Sequence, residues 1–127
     1  QYNIVDIRVF NYFSSTVSLD SRFFITDLIR SVKNQTVFKT GVDEMARDYL
    51  HSNDFFQLTN NILQGPLCNM AVDCYSKSPI SKTEILELFR LRYGLQVEVS
   101  ATQNSINATG SKPNYFSKNY RAAERRG

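Results

Sequence analysis

The sequence predicts an α/β fold, and two features of its pattern carry that prediction. Stretches of β-branched and aromatic residues alternate along the chain with stretches that have helical apolar periodicity. Glycine, proline, asparagine and serine separate these stretches, as they do at turns between elements. At 127 residues the chain is long enough for one small hydrophobic core. We therefore expect one compact α/β unit.

Each element follows from local signals. The predicted strands cover residues 2–11, 36–39, 47–51, 69–75 and 95–100, where β-branched and aromatic residues concentrate. The predicted helices cover residues 22–34, 54–63, 82–93 and 118–127. Their expected caps are Asp20 or Ser21, Asp54, Ser81 with Glu84 in a capping box, and Ser117.

The first predicted strand differs from the others. Its apolar residues, among them Ile7, Val9 and Phe10, are nearly continuous, which is typical of a parallel strand buried on both faces. We expect residues 1–13 to supply the last parallel strand of a larger sheet whose other strands lie outside these 127 residues. Because an unpaired strand edge invites pairing between copies, we also expect a homodimer.

Composition excludes several classes of function. The 15 lysines and arginines are scattered and the net charge is only +3, so we expect no nucleic-acid partner. No apolar run is long enough for a membrane span, and we expect no membrane association. Cys68, Cys74 and the single histidine do not supply the ligands of a structural zinc site. We interpret Cys74 as a buried thiol, with a disulfide as the alternative, and expect a cytoplasmic protein.

Two polar motifs interrupt the apolar pattern. The first predicted strand ends in Arg8-Val9-Phe10-Asn11, and a later segment contains Arg47-Asp48-Tyr49 directly before a predicted helix. An arginine at a strand edge beside a helix start is well placed for a phosphate, because its guanidinium binds oxyanions through two parallel hydrogen bonds. These motifs predict an anion-binding site.

In order and spacing, the motifs resemble the C-terminal half of the extended short-chain dehydrogenases, the NAD-dependent epimerase/dehydratase family that binds nucleotide sugars. Arg8, Phe10 and Asn11 match the family's R-x-F-N-x-x-G-P motif, although serines at positions 14–15 replace Gly-Pro. Residues 41–54 match a glycine turn followed by R-D-[FY]-x-[HY]-x-x-D.

This resemblance implies a C-terminal fragment of a Rossmann-type enzyme. The last parallel strand of its nucleotide-binding sheet would join a small α/β substrate-binding domain, within a single unit spanning residues 1–127. It also implies a nucleotide-diphosphate sugar as substrate, and NAD or NADP bound mainly by the missing N-terminal half. The family's Gly-rich cofactor motif and catalytic Tyr-x-x-x-Lys are absent from the sequence. We therefore assign no catalytic residue and expect the chain alone to be inactive.

The resemblance also implies roles for four residues. Phe10 would lie beside the nicotinamide, and Asn11 would hydrogen-bond the sugar nucleotide. Phe23 would begin the helix whose first turn lines the nucleotide pocket, and Arg47 would bind the substrate's phosphates. No metal ligand is implied.

Alternatives remain open. Arg47 could instead be a structural arginine paired with a carboxylate such as Asp48 or Asp54, and tyrosines such as Tyr115 are by default packing residues. The family's second phosphate-binding arginine is missing, because residues 108–111 stand in its place and only Lys112 is nearby. A non-catalytic α/β binding or interaction module is therefore the second functional hypothesis.

Overall fold

The chain folds into two compact units, each assembled from separate stretches of sequence. The first unit comprises Gln1–Ser15, Arg47–Pro79 and Tyr115–Gly127, and the second comprises Thr16–Ala46 and Ile80–Asn114. The structure is a computed structural model that describes residues 2–101, 113–120 and 122–123. In chain order its elements are β1 (Val5–Val9), β2 (Tyr12–Phe13), α1 (Phe24–Asn34), β3 (Phe38–Thr40), β4 (Ala46–Arg47), β5 (Leu50–His51), α2 (Ser52–Gln64), β6 (Met70–Cys74), β7 (Ile80–Ser81), α3 (Lys82–Tyr93), β8 (Val97–Val99) and β9 (Asn114–Tyr115).

The predicted α/β class is confirmed by short parallel strand pairs and three helices among the described residues. In the first unit, β1 pairs with β6 and β2 pairs with β5, both in parallel. In the second unit, β3 pairs in parallel with β8. The chain passes from one unit to the other within β4 and within β9.

Strand β1 is not buried on both faces in this chain. Val5, Ile7 and Val9 are half-buried, whereas Asp6 and Arg8 between them are exposed. This alternation follows from the pleat, because successive side chains of a strand point to opposite faces and charged side chains stay in water. Asp6 and Arg8 therefore leave one face of β1 exposed, although its apolar residues predicted two buried faces.

The core of the first unit forms where α2 packs on the strands. Four buried residues make up this cluster, and half-buried apolar residues of β1 and α2 pack against it. Its buried members are Leu50, Leu58, Cys74 and Ala122. The predicted buried environment of the Cys74 thiol is thus confirmed.

The second unit buries residues of α1, α3 and the adjoining strands. The ring of Phe24 in α1 packs edge-on against that of Phe38 in β3, with centroids 5.6 Å apart. Leu28 is completely buried, and Ile85 and Phe89 of α3 are also buried. Both stretches of the second unit, residues 16–46 and 80–114, therefore contribute to its core.

Two of the predicted helix caps are wrong. Helix α1 begins at Phe24, and the hydroxyl of Thr26 accepts a hydrogen bond from the Phe23 N–H at 3.1 Å, so neither Asp20 nor Ser21 caps it. Helix α2 begins two residues before Asp54, because Nδ1 of His51 accepts from the Asn53 N–H at 3.1 Å.

The predicted capping box of α3 is confirmed. The Ser81 hydroxyl accepts from the Glu84 N–H, and the Glu84 carboxylate accepts from the Ser81 N–H. The helix ends at Gly94, whose φ of 66° is a left-handed conformation that glycine adopts without strain. These interactions explain why the bounds of α3 were predictable.

The predicted helix after Ser117 does not form over residues 117–120, which are irregular. Instead the Ser117 hydroxyl donates to the Asp73 carboxylate at 2.6 Å, which fixes the segment to β6. Ala122 and Ala123 form a short 3₁₀ turn, and the remainder of the predicted helix lies outside the described residues. All helices in the described part are too short or too polar to traverse a lipid bilayer.

Candidate functional site

The carboxyl ends of β1 and β6 define the candidate site. The two strands are parallel and in register from Val5 opposite Met70 to Val9 opposite Cys74, so both end at the same edge. Phe10 and Asn11 directly follow β1 at this edge. In open parallel sheets, ligands bind outside the carboxyl ends of the strands.

Asp48 links this edge to the segment that contains Arg47. Its carboxylate oxygens accept hydrogen bonds from the Ser76 N–H at 3.0 and 3.1 Å, and the residue is only 4% exposed. Ser76 lies two residues beyond the end of β6. The position of Arg47 relative to the carboxyl edge is therefore restrained through its neighbour in the chain.

Arg47 is a buried cation. It is 3% exposed, and burial lowers the pKa of its guanidinium, while Tyr49 and Tyr115 raise it. An arginine keeps its charge in proteins in spite of such a shift. Because charges interact more strongly in a desolvated environment, this guanidinium is suited to attract an anion that reaches it.

Tyr49 shares that environment. Burial raises the pKa of its phenol to about 12, with Arg47 acting in the opposite direction. The phenol therefore stays protonated at neutral pH and remains a hydrogen-bond donor. Protonated Tyr49 adds no negative charge that would compete with a bound phosphate.

Asn11 offers a polar group at the same edge. Its backbone carbonyl accepts from the Leu50 N–H at 2.8 Å, which extends the pairing of β2 with β5. Its side-chain Nδ2 is buried and has no hydrogen-bond partner among the described residues. Because a buried donor without a partner costs free energy, a ligand oxygen that accepted from it would be favoured.

Phe10 is half-buried, and its ring packs edge-on against Tyr115 with centroids 5.2 Å apart. Three of the four predicted site residues, namely Phe10, Asn11 and Arg47, thus belong to the first unit. Phe23 belongs to the second unit and is 42% exposed. Its N–H is bonded to the Thr26 hydroxyl, so its exposed ring is the group available to a ligand.

Sequence inspection missed a three-residue network beside these residues. The Arg8 guanidinium lies 2.7 Å from one Asp73 oxygen, and the other oxygen accepts from the Ser117 hydroxyl at 2.6 Å. Arg8 and Asp73 are opposite each other in the β1–β6 register. The opposite charges at matching positions of two predicted strands are the signal that would have found this pair.

Tyr115 was also missed as a member of the site, because it had been interpreted as a packing residue. It belongs to the first unit with Phe10 and Arg47, its ring packs against Phe10, and its strand β9 pairs with the strand β4 that ends at Arg47. The position of the missing second arginine, residues 108–111, and Lys112 lie outside the described residues. In the part of the chain that the structure describes, no cluster of acidic, histidine or cysteine side chains could hold a metal ion.

Sequence comparisons identify no relative: no protein-family model matches the chain, and no curated protein matches it. Solved structures do match it. The chain is similar to UDP-N-acetylglucosamine 4-epimerase from Methanobrevibacter ruminantium M1 in complex with UDP-N-acetylmuramic acid, with a TM-score of 0.76 and 14% identity over 95% of this chain.

Two further structures give the same result. UDP-glucuronic acid 4-epimerase from Bacillus cereus, in complex with UDP-glucuronic acid and NAD, has a TM-score of 0.76 and 16% identity over 96% of this chain. The dTDP-glucose 4,6-dehydratase from Bacillus anthracis str. Ames, in complex with NAD, has a TM-score of 0.72 and 11% identity over 95% of this chain.

The chain covers only 39%, 38% and 37% of these three proteins, respectively. Nearly all of it is nevertheless matched in each case. The chain therefore has the fold of the C-terminal part of the Rossmann-type extended short-chain dehydrogenases.

Proposed function

We propose that this chain is the nucleotide-sugar-binding part of an NAD(P)-dependent nucleotide-sugar epimerase or dehydratase. The observation that carries the proposal is the buried Arg47 guanidinium, which is restrained through Asp48 to the carboxyl edge that Phe10 and Asn11 follow. The shared fold supports it, since the B. cereus epimerase was solved with a UDP sugar and NAD. In this proposal residues 1–127 act as one substrate-binding part, with residues 1–13 as the last strand of the Rossmann sheet.

Each proposed contact uses the chemistry of its side chain. Arg47 binds the diphosphate, because a planar guanidinium matches two phosphate oxygens at once. The Asn11 amide hydrogen-bonds the sugar or the diphosphate and thereby satisfies its buried Nδ2. Phe23 contributes its exposed ring to the nucleotide pocket.

The cofactor in this proposal is NAD or NADP, which supplies hydride transfer when bound. Phe10 fits a position beside the nicotinamide, because it is only half-buried and its ring is supported at one side by Tyr115. The sequence contains neither the Gly-rich motif nor the Tyr-x-x-x-Lys pair of the family. We therefore expect the 127-residue chain to bind a nucleotide diphosphate without converting nucleotide sugars.

Titration of the chain with UDP, followed by amide NMR shifts, tests the proposal. Arg47→Ala should weaken UDP binding by about 10- to 150-fold, the equivalent of about 1.5–3 kcal/mol for a charged hydrogen-bonded contact. Arg47→Lys should recover only part of this loss, because an ammonium cannot form the bidentate contact.

Arg90→Ala is the matched control. Arg90 pairs with Glu87 at 3.1 Å on the exposed face of α3, and its loss should leave UDP binding unchanged. If Arg47→Ala lowers only the melting temperature, Arg47 is a structural residue and the phosphate assignment is wrong. If the unaltered chain does not bind UDP, the non-catalytic interaction module is the better hypothesis.

For the isolated 127-residue chain, whose β1 lacks the rest of the proposed sheet, a homodimer is also part of the proposal. Among the described residues, β1 pairs on one edge only, and nearby apolar side chains are exposed: Tyr2 at 87%, Ile4 at 66% and Leu67 at 84%. Exposed apolar surface next to an open strand edge favours pairing between copies. Sedimentation should show a concentration-dependent dimer that Ile4→Lys weakens, and a strict monomer at high concentration would contradict this.

A further inference from the structure

Tyr115 has a more specific placement than a packing residue requires. Its ring contacts Phe10 edge-on, at a centroid distance of 5.2 Å and an interplanar angle of 67°. A phenylalanine would make this same contact, since edge-to-face packing uses only the ring. The hydroxyl therefore calls for a separate explanation.

Tyr115 lies on the strand next to that of Arg47, because β9 pairs with β4. The two residues end β9 and β4, respectively, and both belong to the first unit. Immediately before them, the Ala46 N–H donates to the Pro113 carbonyl at 2.8 Å, which aligns the two segments. Tyr115 raises the pKa of the Arg47 guanidinium, and Arg47 is nearly inaccessible to solvent.

The segment that carries Tyr115 is anchored on its other side. Two residues later, the buried Ser117 hydroxyl donates to Asp73, whose second oxygen is paired with Arg8. Further along, the Tyr75 hydroxyl donates to the Tyr120 carbonyl at 2.9 Å. These bonds restrain the backbone just beyond Tyr115, so its ring is supported both by Phe10 and by an anchored chain.

We propose that Tyr115 is a positioning residue for the anion-binding guanidinium of Arg47, held against Phe10 so that its hydroxyl fixes the orientation in which Arg47 meets a diphosphate. The inference rests on the proposed function. A guanidinium held in its binding orientation loses less conformational entropy when the ligand arrives. Tyr115 therefore acts through Arg47 and selects for the phosphate-bearing portion of the ligand.

The test compares UDP with uridine, which has no phosphate. Tyr115→Phe keeps the ring contact and removes the hydroxyl, and it should weaken UDP binding roughly three- to tenfold, the loss typical of one hydrogen-bond-strength interaction. The shifts and affinity of uridine should not change. In an Arg47→Ala background, Tyr115→Phe should have no additional effect on UDP binding, because its effect passes through Arg47.

Tyr93→Phe is the matched control. Tyr93 also packs against a phenylalanine, Phe89, with centroids 5.3 Å apart, but it lies in the second unit. Its loss of hydroxyl should change neither UDP nor uridine binding. Circular dichroism of Tyr115→Phe checks that the variant is folded, and Ser117→Ala provides a second variant that loosens the same segment and should reduce UDP binding in the same selective manner.

The possible failures are distinguishable. If Arg47→Ala weakens UDP binding but Tyr115→Phe does not, the positioning role of Tyr115 is wrong and the proposed function stands. Equal losses for UDP and uridine in Tyr115→Phe would also overturn the positioning role, since they would indicate a general effect on the pocket. If Arg47→Ala leaves UDP binding unchanged, both the phosphate assignment and this inference are wrong.

Discussion

The two units each bury a cation, and the groups around the two cations differ. In the second unit, Lys82 is 6% exposed, and its ammonium donates to the backbone carbonyls of Gly41 and Asp43. In the first unit, Arg47 is 3% exposed and lies in the electrostatic environment of Tyr49 and Tyr115. Burial lowers the pKa of both side chains.

The difference lies in what surrounds each charge. The two carbonyls hold the Lys82 ammonium as part of the turn at residues 41–45, where Glu44 also receives hydrogen bonds from Thr83. Phenol groups, by contrast, are neutral and can act as donors to an incoming anion. Burial alone therefore does not distinguish a structural cation from a binding one, and the proposed role of Arg47 depends on the chemistry of its neighbours.

The largest expected effect tests whether the two units have separate cores. Leu58 in the first unit and Leu28 in the second are both completely buried. Truncation of either to alanine should cost about 2–5 kcal/mol of unfolding free energy. Amide hydrogen exchange should accelerate most in the unit that carries the substitution, and equal acceleration in both units for both variants would contradict the division.

The next test sharpens the contrast between the two cations. Lys82→Met leaves the carbonyls of Gly41 and Asp43 without their donor and should cost about 1–3 kcal/mol of stability. It should leave UDP affinity of the folded protein unchanged, whereas Arg47→Ala should lower it. Thermal melts and UDP titrations on both variants measure these effects. A loss of UDP binding in Lys82→Met would contradict the contrast between a structural Lys82 and a ligand-binding Arg47.

Alkaline titration of Tyr49 provides a second test of the environment of Arg47. The folded-state pKa of Tyr49 is about 12, against an ordinary value of 10, so the folded state retains a proton that the unfolded state loses. The stabilisation is fully present below pH 10 and is lost as the pH rises through 12. Compared with that of Tyr49→Phe, the unfolding free energy of the unaltered chain should fall by no more than about 2.7 kcal/mol as the pH rises from 10 to 12, because one pKa unit corresponds to about 1.36 kcal/mol. If the unfolding free energies of the two proteins changed with pH in the same way, Tyr49 would not be buried as described.

The smallest expected effect concerns the starts of α2 and α3. Different residue types cap the two helices, but each capping side chain accepts a hydrogen bond from a backbone N–H of the first turn. Ser81→Ala removes the acceptor for the Glu84 N–H and should cost about 1 kcal/mol. His51→Ala removes the ring nitrogen that accepts from the Asn53 N–H and should cost a similar amount. Urea denaturation measures both, and a cost near zero for His51→Ala would mean that its ring does not cap α2.

Sequence patterns predicted the elements whose signals are local. The α3 helix carries its own capping box and terminal glycine, so its bounds could be assigned without knowledge of its neighbours. The start of α2 could not, because histidine is an uncommon cap and Asp54 looked like a better one. β2, β7 and β9 each comprise two residues and were missed, since a strand this short has no periodicity to detect.

The candidate site was predictable to a different extent. Phe10, Asn11 and Arg47 were predicted as site residues through a resemblance in motif order, and all three belong to the first unit. Tyr115 could not be found in this way, because its significance depends on contacts with residues distant in the sequence. The same holds for Ser117, whose hydroxyl bonds Asp73 instead of starting a helix.

The interleaving of the two units constrains how the protein can be made. The chain passes between the units four times, and β1 can pair with β6 only after the residues between them have been synthesised. The hydrogen bond from the Ile4 N–H to the Asn69 side chain, for example, joins residues 65 positions apart. At ribosomal speeds of about 5–20 residues per second, β1 therefore precedes β6 by roughly 3 to 13 seconds. During that interval the edge of β1 that pairs with β6 has no partner from that strand, and slower synthesis lengthens the interval.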